Sequence, residues 1–351
     1  MTGSDTTRVA YDALLEFACA VLDKAGLDPF SRDAVAGGLC ETSLRGVDSH
    51  GIRLLPHYVQ SALSGRKNPR PDMRFEAVFP AFGSLDADNA FGHAAGMKAM
   101  AHAMEMAETY GLGAVSVGNS SHPGAMASFA LHAARQGYIG MAFTHADALT
   151  RSHGGTRPYF GTNPICFAAP RTEDEPYCLD MASTTIAWNQ LVRHRTAGQD
   201  LPPDVAADAG GAPTTDPDAA TCLLPVGGYK GFGIASMIEV LCGVLPGMAV
   251  GRAIPAMFTT PMDRPRHLGQ FYLAMRCDIA GPADEFRSRL QAMTDEVRCE
   301  PAQPGEEVML PNDPQIREAE RRRRDGIPLD RDVAAGLFGL AGEHGVKLAT
   351  L

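Results

Sequence analysis

Two histidines in short polar segments are the first residues whose chemistry suggests a function. His50 follows Ser49 in RGVDSHG, and His122 lies in GNSSHPGAMASFA. An imidazole with its ordinary pKa near ~6.5 exchanges protons at neutral pH, so either histidine could act as a general acid or base, with Ser49 orienting its neighbour. Each segment also has a structural interpretation, in which Asp48 or Ser49 caps the next helix and both histidines are ordinary loop residues. Neither segment alone shows whether its histidine has a catalytic or a structural role.

The glycine-rich segment PVGGYKGFG could bind an anion. Lys230 and Gly231 follow two glycines at the start of an apolar helix, where backbone N–H groups, a helix N-terminus and an ammonium group would converge. A glycine turn followed by an exposed lysine is an equally good interpretation. The chain has no Gly-x-Gly-x-x-Gly between a strand and a helix and no Walker loop, so a standard Rossmann site is not predicted.

Two further segments carry candidate contacts. Thr162 stands in SHGGTRPYFGTNP, where glycines could let the backbone approach a ligand or could make tight turns. Asp180, in PYCLDMASTT, ends a predicted strand and could either contact a cofactor or cap the following helix. Because no His-x-x-x-His pair and no carboxylate cluster has ligand spacing, no metal site is expected.

The elements that position these residues are helical at the two ends of the chain and alternate between strand and helix in the middle. Helical spacing begins near Thr7 and runs to Cys40 with one break. The middle offers strands such as GAVSVGNS, YIGMAFTHA and QFYLAMRCDIA, with a long Pro/Gly/Asp loop at LPPDVAADAGGAPTTDPDA. This pattern predicts a mixed α/β (α+β) fold with a helical lobe from residues 1–73 and 300–351 and a sheet lobe from residues 74–299.

Composition and charge exclude several classes of protein. With 351 residues, 45% of them hydrophobic and 21% charged, the chain is predicted to fold as a globular protein. Its 31 basic and 41 acidic residues give a net charge of -10, which repels nucleic acid. The four consecutive arginines near the C-terminus are therefore predicted to be the solvated face of a helix, paired with Glu318, Glu320 and Asp325.

Cysteine spacing and hydropathy indicate the compartment. Eight cysteines without a Cys-x-x-Cys pair are predicted to be reduced and mostly buried. No export signal and no apolar stretch long enough to cross a bilayer is recognisable, so a soluble, cytoplasmic protein without a membrane partner is expected.

Taken together and in order, the segments resemble the malate/L-lactate dehydrogenase family of the non-Rossmann type. The similar pieces are RGVDSHG, NSSHPGAMASFA, GYIGMAF, GGTRPYFGTNPICFAAP, LDMAST, DAGGAPTTDP, LPVGGYKGFG and HLGQFYLAM. The resemblance implies an NAD- or NADP-dependent oxidoreductase that acts on a small carboxylic acid. It also implies a homodimer or higher homo-oligomer, a nucleotide-binding sheet lobe, and a helical lobe for the substrate and the dimer contact. YFGTNP and AWNQLVRHR look closest to the ureidoglycolate-specific members.

The resemblance also implies roles for individual residues. His50, with Ser49 beside it, matches the proton donor or acceptor and is the preferred candidate. His122 matches the histidine with that role in the ureidoglycolate-like members and a cofactor contact, and Thr162 matches a substrate contact. The remaining matches are to cofactor contacts, namely Asp180, Met181, Ala182, Lys230 and Gly231.

Three departures from the family pattern keep alternatives open. Leu54 stands where an arginine would clamp the substrate carboxylate, which leaves Arg53, one residue earlier, as the candidate. Gln190 replaces an acidic residue of the cyclic-imine reductases, and Asn312 and Asp313 occupy the place of a Pro-Gly-Glu cofactor turn. The expected reaction is hydride transfer between nicotinamide and C2 of a small 2-hydroxy or 2-oxo acid. The alternatives are reduction of a cyclic imino acid and a non-catalytic, ligand-binding member of the fold.

Overall fold

The computed structural model describes residues 7–351, which contain a seven-stranded sheet, two smaller sheets and ten α-helices. The helices are α1 (Tyr11–Lys24), α2 (Pro29–Leu44), α3 (Leu55–Leu63), α4 (Gly92–Tyr110), α5 (Ala127–Arg135), α6 (Trp188–Ala197), α7 (Tyr229–Glu239), α8 (Ala283–Arg298), α9 (Asp313–Asp325) and α10 (Arg331–His344). Of the fourteen strands, the first nine are β1 (Thr7–Val9), β2 (Arg74–Phe79), β3 (Phe82–Asp86), β4 (Leu112–Ser120), β5 (Tyr138–Thr144), β6 (Thr150–Arg151), β7 (Pro158–Phe160), β8 (Ile165–Ala169) and β9 (Tyr177–Met181). The others are β10 (Ala206–Ala207), β11 (Pro213–Thr214), β12 (Cys222–Leu223), β13 (Leu268–Arg276) and β14 (Ile327–Leu329).

The seven-stranded sheet has the order β2-β3-β4-β13-β5-β8-β9. Only β3 and β4 pair in parallel, and all the other neighbours are antiparallel. Alternate residues of its strands face opposite sides, so Tyr272 packs under α4 and α5 whereas Phe271 packs against α7. The prediction of a mixed α/β fold is confirmed.

A second core joins the two ends of the described chain. Buried apolar side chains of α1, α2 and α3 pack with those of β14 and α10, and Phe91 and Ala94 at the start of α4 extend this core towards the sheet. Helix α2 begins sharply because the Asp28 carboxylate accepts the N–H groups of Phe30 and Ser31, with Pro29 at the first helical position.

Two predictions about local structure are wrong. Residues Thr7–Val9, predicted to be helical, form β1 and pair antiparallel with β14, because the pairing partner comes from the far end of the sequence. The loop predicted over residues 201–219 contains β10 and β11, which join β12, β6 and β7 in a five-stranded sheet. Arg195 at the end of α6 secures this loop, since its guanidinium donates to the carbonyl groups of Pro217 and Ala220.

The arginine run in α9 is only partly solvated. Arg321 pairs with Glu318 and Arg324 with Asp325, as predicted for an exposed helix face. Arg322 differs, because it is 5% exposed and donates to the carbonyl oxygen of Ser43. Within residues 7–351, no helix combines the length and the apolar character that a membrane span requires.

Candidate active site

A cavity of about 860 Å³ lies where the sheet, α2, α6 and the start of α9 meet. Its size is within the ~300–1,000 Å³ range of small-molecule and cofactor pockets. His50 and His122 both line it, and the wall also includes Thr162, Asp180 and Asn312. Residues that are far apart in sequence therefore converge on one space large enough for a cofactor and a small substrate.

The two histidines form a stacked pair. Their ring centroids are 5.7 Å apart and the ring planes differ by 21°. Burial lowers the pKa of His50 to about 4, and the nearby Arg53 contributes. Burial also lowers the pKa of His122 well below its ordinary value, with a further contribution from His50 and Lys67. Both imidazoles are therefore neutral at physiological pH and able to accept a proton.

His122 lies in the turn between β4 and α5, as its sequence context predicts. Ser121 fixes this turn by accepting the N–H of Gly92 and donating to the carbonyl of Ala90. Gly124 has a φ of +76°, and a Cβ there would meet the His93 ring at 2.5 Å, so only glycine fits. The Tyr58 hydroxyl of α3 lies 2.8 Å from His122 Nδ1.

The loop that carries His50 is anchored from the C-terminal part of the chain. Arg322 of α9 donates two hydrogen bonds to the Asp48 carboxylate, at 2.6 and 2.9 Å. Asn189 of α6 donates to the carbonyl oxygen of Ser49, and the Ser49 hydroxyl lies 2.9 Å from His50 Nδ1. Asp48 is therefore not a simple helix cap. It is one half of a bidentate ion pair that holds the loop in place.

Two arginines that the motif analysis missed line the cavity. Arg266 is 5% exposed, pairs with Asp147 and donates to the carbonyl oxygen of Pro255 at 2.7 Å. Arg45 is 7% exposed and donates to Asn312 Oδ1, with no carboxylate partner in the part of the chain that the structure describes. Arg53, the predicted carboxylate contact, is exposed and lies outside the cavity wall.

The GTNP turn reaches the cavity through Thr162. Its carbonyl oxygen accepts both the N–H and the hydroxyl of Ser183, each at 2.8 Å. The adjacent Asn163 is fully buried and donates to Glu239 and to the carbonyl oxygen of Ala235. This network holds the turn from behind and leaves the Thr162 side chain at the cavity wall.

The LDMAST segment also faces the cavity, with Asp180, Met181 and Ala182 all in its wall. Asp180 Oδ2 accepts the N–H of Ala127 at 2.8 Å, so Asp180 caps α5 and not the helix that follows it in sequence. The Asp180 carboxylate faces the cavity, but protein atoms surround it. This burial raises its pKa to about 6, although the hydrogen bonds from backbone N–H groups act to lower it.

Of the remaining residues predicted to bind the cofactor, only one lies in the cavity wall. Asn312 lies in the wall, whereas Asp313 is buried behind it and pairs with Arg298. Lys230 is exposed and outside the wall. Gly231 is buried where a Cβ would meet the Val226 carbonyl oxygen at 2.1 Å, so its role in this structure is to let the first turn of α7 pack closely against that carbonyl.

The sequence did not identify Arg66 and Lys67, the two basic residues of SGRKNP, as residues that position others. Arg66 is 1% exposed and donates to carbonyl groups of Met257, Thr260 and Pro261, which fixes the loop that carries the cavity residues Met257 and Phe258. Lys67 is 3% exposed with its ammonium over the Tyr58 ring. Helical spacing places Tyr58 on the buried face of α3, but the sequence offers no signal that two cations would be buried beside it.

Comparison with known proteins agrees with this geometry. The sequence model described as malate/L-lactate dehydrogenase matches residues 9–337. The chain belongs to the malate/L-lactate dehydrogenase family. It is accordingly an NAD- or NADP-dependent oxidoreductase, and the family resemblance predicted from the motifs is confirmed.

Relatives within the malate/L-lactate dehydrogenase family differ in substrate. The ureidoglycolate dehydrogenase (NAD(+)) of Escherichia coli strain K12 is 34% identical over 313 residues, covering 89% of each chain. The crystal structure of malate dehydrogenase from Entamoeba histolytica has a TM-score of 0.93 at 26% identity and covers 98% of this chain and 99% of its own. The Δ1-piperideine-2-carboxylate reductase of Pseudomonas syringae pv. tomato has a TM-score of 0.86 at 28% identity, over 96% of this chain and all of its own. Named relatives use NAD(+) in one case and NADP(+) in another.

Proposed function

We propose that the protein transfers a hydride between C4 of a nicotinamide cofactor and C2 of a small 2-hydroxy acid, giving the 2-oxo acid, or the reverse. The observation that carries this proposal is the stacked pair of neutral imidazoles in a cavity that also contains two arginines. The pair can exchange the hydroxyl proton, and an arginine can bind the carboxylate that such substrates share.

The cavity wall fits a dinucleotide cofactor. Arg45 is nearly buried, lacks a carboxylate partner among the described residues and reaches Asn312, so its free N–H donors suit a phosphate or ribose oxygen. Asp180 offers a carboxylate at the cavity surface for a hydroxyl group. When bound, the nicotinamide ring supplies or accepts the hydride, and these residues of the chain would hold the rest of the molecule.

Arg266 is the residue best suited to hold the substrate carboxylate. It lines the cavity on the side of His122, and Asp147 and the Pro255 carbonyl fix its guanidinium plane. A planar, oriented guanidinium binds a carboxylate through two N–H groups. Arg266 would therefore take the role of the missing arginine at position 54. Thr162 would hydrogen bond the substrate oxygen from the GTNP turn.

We assign the proton exchange to His122 in preference to His50, although the sequence motif favoured His50. The Tyr58 hydroxyl of α3 lies 2.8 Å from His122 Nδ1, and the Gly124 N–H of the same turn lies 3.4 Å from that atom, whereas His50 Nδ1 meets only its chain neighbour Ser49. In oxidation the C2 hydrogen leaves as hydride and the hydroxyl proton passes to His122. In reduction the imidazolium returns that proton to the oxygen. A positioned base of this kind contributes ~100- to 10,000-fold in rate.

The test is a screen of purified protein, followed by nicotinamide absorbance, with NAD(H) and NADP(H) offered separately. The substrates are ureidoglycolate, malate, lactate and sulfolactate with their 2-oxo partners, and Δ1-piperideine-2-carboxylate. The matched control is His122→Asn. We expect turnover of at least one 2-hydroxy or 2-oxo acid, which His122→Asn should slow strongly. No turnover of any acid would refute the proposed reaction, and turnover that the variant leaves unchanged would refute the assignment of the proton exchange to His122.

Reduction of a cyclic imino acid is the second candidate, because the Pseudomonas syringae reductase shares the fold over nearly the whole chain. The position of Gln190 counts against it. Its amide is at the cavity wall, and its Oε1 accepts the N–H of Ala187, so no carboxylic acid stands there to protonate a ring nitrogen. Faster turnover of the imine than of every oxo acid would favour this second reaction.

We also propose that the enzyme is a cytoplasmic homodimer. The last turns of α7 and the segment after it expose four large apolar side chains on one surface, Met237, Val240, Val244 and Leu245. The family resemblance implies a homo-oligomer, and a second copy of the chain would cover such a patch. Sedimentation of the wild-type chain and of Val244→Glu tests this. We expect a dimer that the substitution weakens, and a wild-type monomer would contradict it.

A further inference from the structure

Glu239, the last residue of α7, is a buried carboxylate in an apolar part of the chain. It is the one charged residue between Lys230 and Arg252 in the sequence, and it is 3% exposed. It does not line the cavity. Burial of a carboxylate costs free energy unless hydrogen-bond donors surround it. The hydrogen-bond partners of Glu239 therefore indicate its role.

The helix places this side chain on its inner face. Ala235, one turn earlier, is buried together with Glu239, and the buried Cys242 follows on the same face. A π-helical turn, Val240–Val244, continues α7, and both of its end residues are exposed. The exposed side chains of this segment belong to the apolar patch proposed for the dimer contact. The segment therefore carries that patch on one face and Glu239 on another.

Two segments that lead to the cavity wall donate to the two oxygens of this carboxylate. Asn163 Nδ2 donates to Glu239 Oε2 at 2.8 Å, and the backbone N–H of Gly251 donates to Oε1 at 2.6 Å. His145 Nε2 accepts the N–H of Gly269 at 2.9 Å, so the ring proton is on Nδ1, which lies 3.6 Å from Oε1. N–H groups from three segments therefore face the carboxylate.

Asn163 connects Glu239 to two parts of the cavity wall. Its Oδ1 accepts the N–H of Ala146 at 3.2 Å, which assigns the other side-chain atom as the donor to Glu239. Its φ of +28° is in the left-handed region, where asparagine is more common than most residues with a side chain. Thr162 and Pro164, its two chain neighbours, line the cavity. The contacts of the Asn163 side chain therefore set the position of Thr162.

The same network reaches Arg266 through two supports. Asp147 follows Ala146 in the chain and pairs with Arg266. The Pro255 carbonyl, which accepts from Arg266 at 2.7 Å, belongs to the loop that starts at Gly251. Both supports of the guanidinium therefore come from segments that this one carboxylate holds.

We propose that Glu239 is a positioning residue that ties the GTNP turn to the loop from Gly251, and so sets the separation of the two proposed substrate contacts, Thr162 and Arg266. The inference rests on the proposed function for the roles of these two contacts. The hydrogen-bond network itself is a property of the free protein.

Glu239→Gln tests this role, because glutamine has nearly the same shape but only one side-chain oxygen. Its NH2 group would face an N–H donor in either orientation. Gly251 donates from its backbone, and the Asn163 amide cannot flip without losing the N–H of Ala146. One buried N–H group is therefore left without an acceptor in the variant.

The expected effect is on the acid and not on the cofactor. Glu239→Gln should raise the KM of the acid roughly tenfold, the effect of one orphaned buried N–H group. The kcat should be nearly unchanged, because the disturbed contacts bind substrate and transition state alike. The Kd of the reduced cofactor, from Trp188 fluorescence, should stay the same, because the proposed cofactor residues have their hydrogen bonds elsewhere, namely Arg45, Asp180 and Asn312.

Thr294→Val is the matched control for loss of a buried hydrogen bond. The Thr294 hydroxyl is fully buried, donates to the carbonyl oxygen of Leu290 at 2.8 Å and lies outside the cavity wall. Its removal should leave the KM of the acid and the Kd of the cofactor unchanged. All variants are assayed at a temperature at which circular dichroism shows them folded.

A reciprocal exchange distinguishes positioning from a general loss of stability. Asn163→Asp alone would set a second carboxylate opposite Glu239 and should also raise the KM. When Asn163→Asp and Glu239→Gln are combined, the new amide can donate to the new carboxylate and still accept from Gly251. The double variant should have a KM at least about threefold below that of either single variant. An unchanged KM in Glu239→Gln, or no recovery in the double variant, would overturn the inference.

Amide hydrogen exchange of the free wild-type enzyme needs neither a substrate nor a variant. The N–H groups of Gly251 and Ala146 donate to side chains and to no backbone carbonyl, so their protection depends on Glu239 and Asn163. We expect slow exchange at both positions, and faster exchange at one or both in Glu239→Gln. Fast exchange at both in the wild type would overturn the inference even if the variant fails to fold. Slow exchange without turnover of any acid would refute the proposed reaction alone.

Discussion

Replacing each of the two stacked histidines by asparagine distinguishes their roles. Asparagine is close to the imidazole in size and is polar, but it cannot take up a proton. We expect His122→Asn to lower kcat by about 1,000-fold, the middle of the ~100- to 10,000-fold range for a positioned base. That factor equals about 4 kcal/mol of transition-state free energy at ~1.36 kcal/mol per tenfold.

The structure gives a smaller expectation for His50→Asn. The His50 ring contributes a stacking contact at 5.7 Å and one bond to Ser49, while Tyr58 and Gly124 still hold His122. Loss of the stack should cost ~0.5–1.5 kcal/mol, which is roughly a 2- to 13-fold decrease in kcat. His50→Asn should therefore turn over roughly 75 times faster than His122→Asn, or more.

The assay is steady-state oxidation of the acid identified in the screen, with its C2-deuterated form to establish that hydride transfer limits kcat. The pH profile gives an independent check. A base must be unprotonated, and burial lowers the His122 pKa, so oxidation should persist below the ordinary histidine pKa near ~6.5. If His50→Asn is the slower variant, the assignment passes to His50. If both retain kcat within tenfold of wild type, neither imidazole is the base.

Three further predictions concern binding and stability. Arg266→Lys keeps the charge but loses the bidentate fork, so the KM of the acid should rise roughly 10- to 100-fold, whereas exposed Arg53→Ala should change it less than twofold in the same assay. Burial lowers the pKa of His93 in the folded protein to about 3, below its ordinary value of 6.5, so the stability that the neutral ring contributes above pH 6.5 is lost as the pH falls towards 3. Urea titrations should show an unfolding free energy that falls by up to ~1.36 kcal/mol per pH unit because of this residue. The fall should be shallower in His93→Gln. Burial raises the Asp180 pKa to about 6, so cofactor binding that uses its carboxylate should weaken below that pH; quenching of Trp188, the single tryptophan and a cavity residue, measures this, and a pH dependence that persists in Asp180→Asn would contradict it.

Residues that follow local rules could be predicted from the sequence. The predicted strands GAVSVGNS, YIGMAFTHA and QFYLAMRCDIA all appear where apolar spacing placed them, as β4, β5 and β13. The family motifs also brought Thr162 and Asp180 to the cavity wall. In each case the signal lies within about ten neighbouring residues.

The missed residues depend on contacts that are distant in sequence. From the sequence, Lys67 and Arg322 are expected to be exposed to solvent, because charged side chains are rarely buried without a partner. The sequence identifies no partner that would bury either residue. Arg322 finds its partner in Asp48, 274 residues away, and Lys67 finds an aromatic face in α3. Arg266 precedes a strand in no recognised motif, and only the fold brings it to the cavity.

The ion pair between Asp48 and Arg322 has a consequence for synthesis of the protein. Both histidines belong to the first half of the given sequence, yet the clamp on the His50 loop comes from α9, and β1 pairs with β14 beyond it. The His50 loop can therefore be clamped only after α9 has been synthesised, and chains truncated before Arg322 should be inactive, with an unclamped loop.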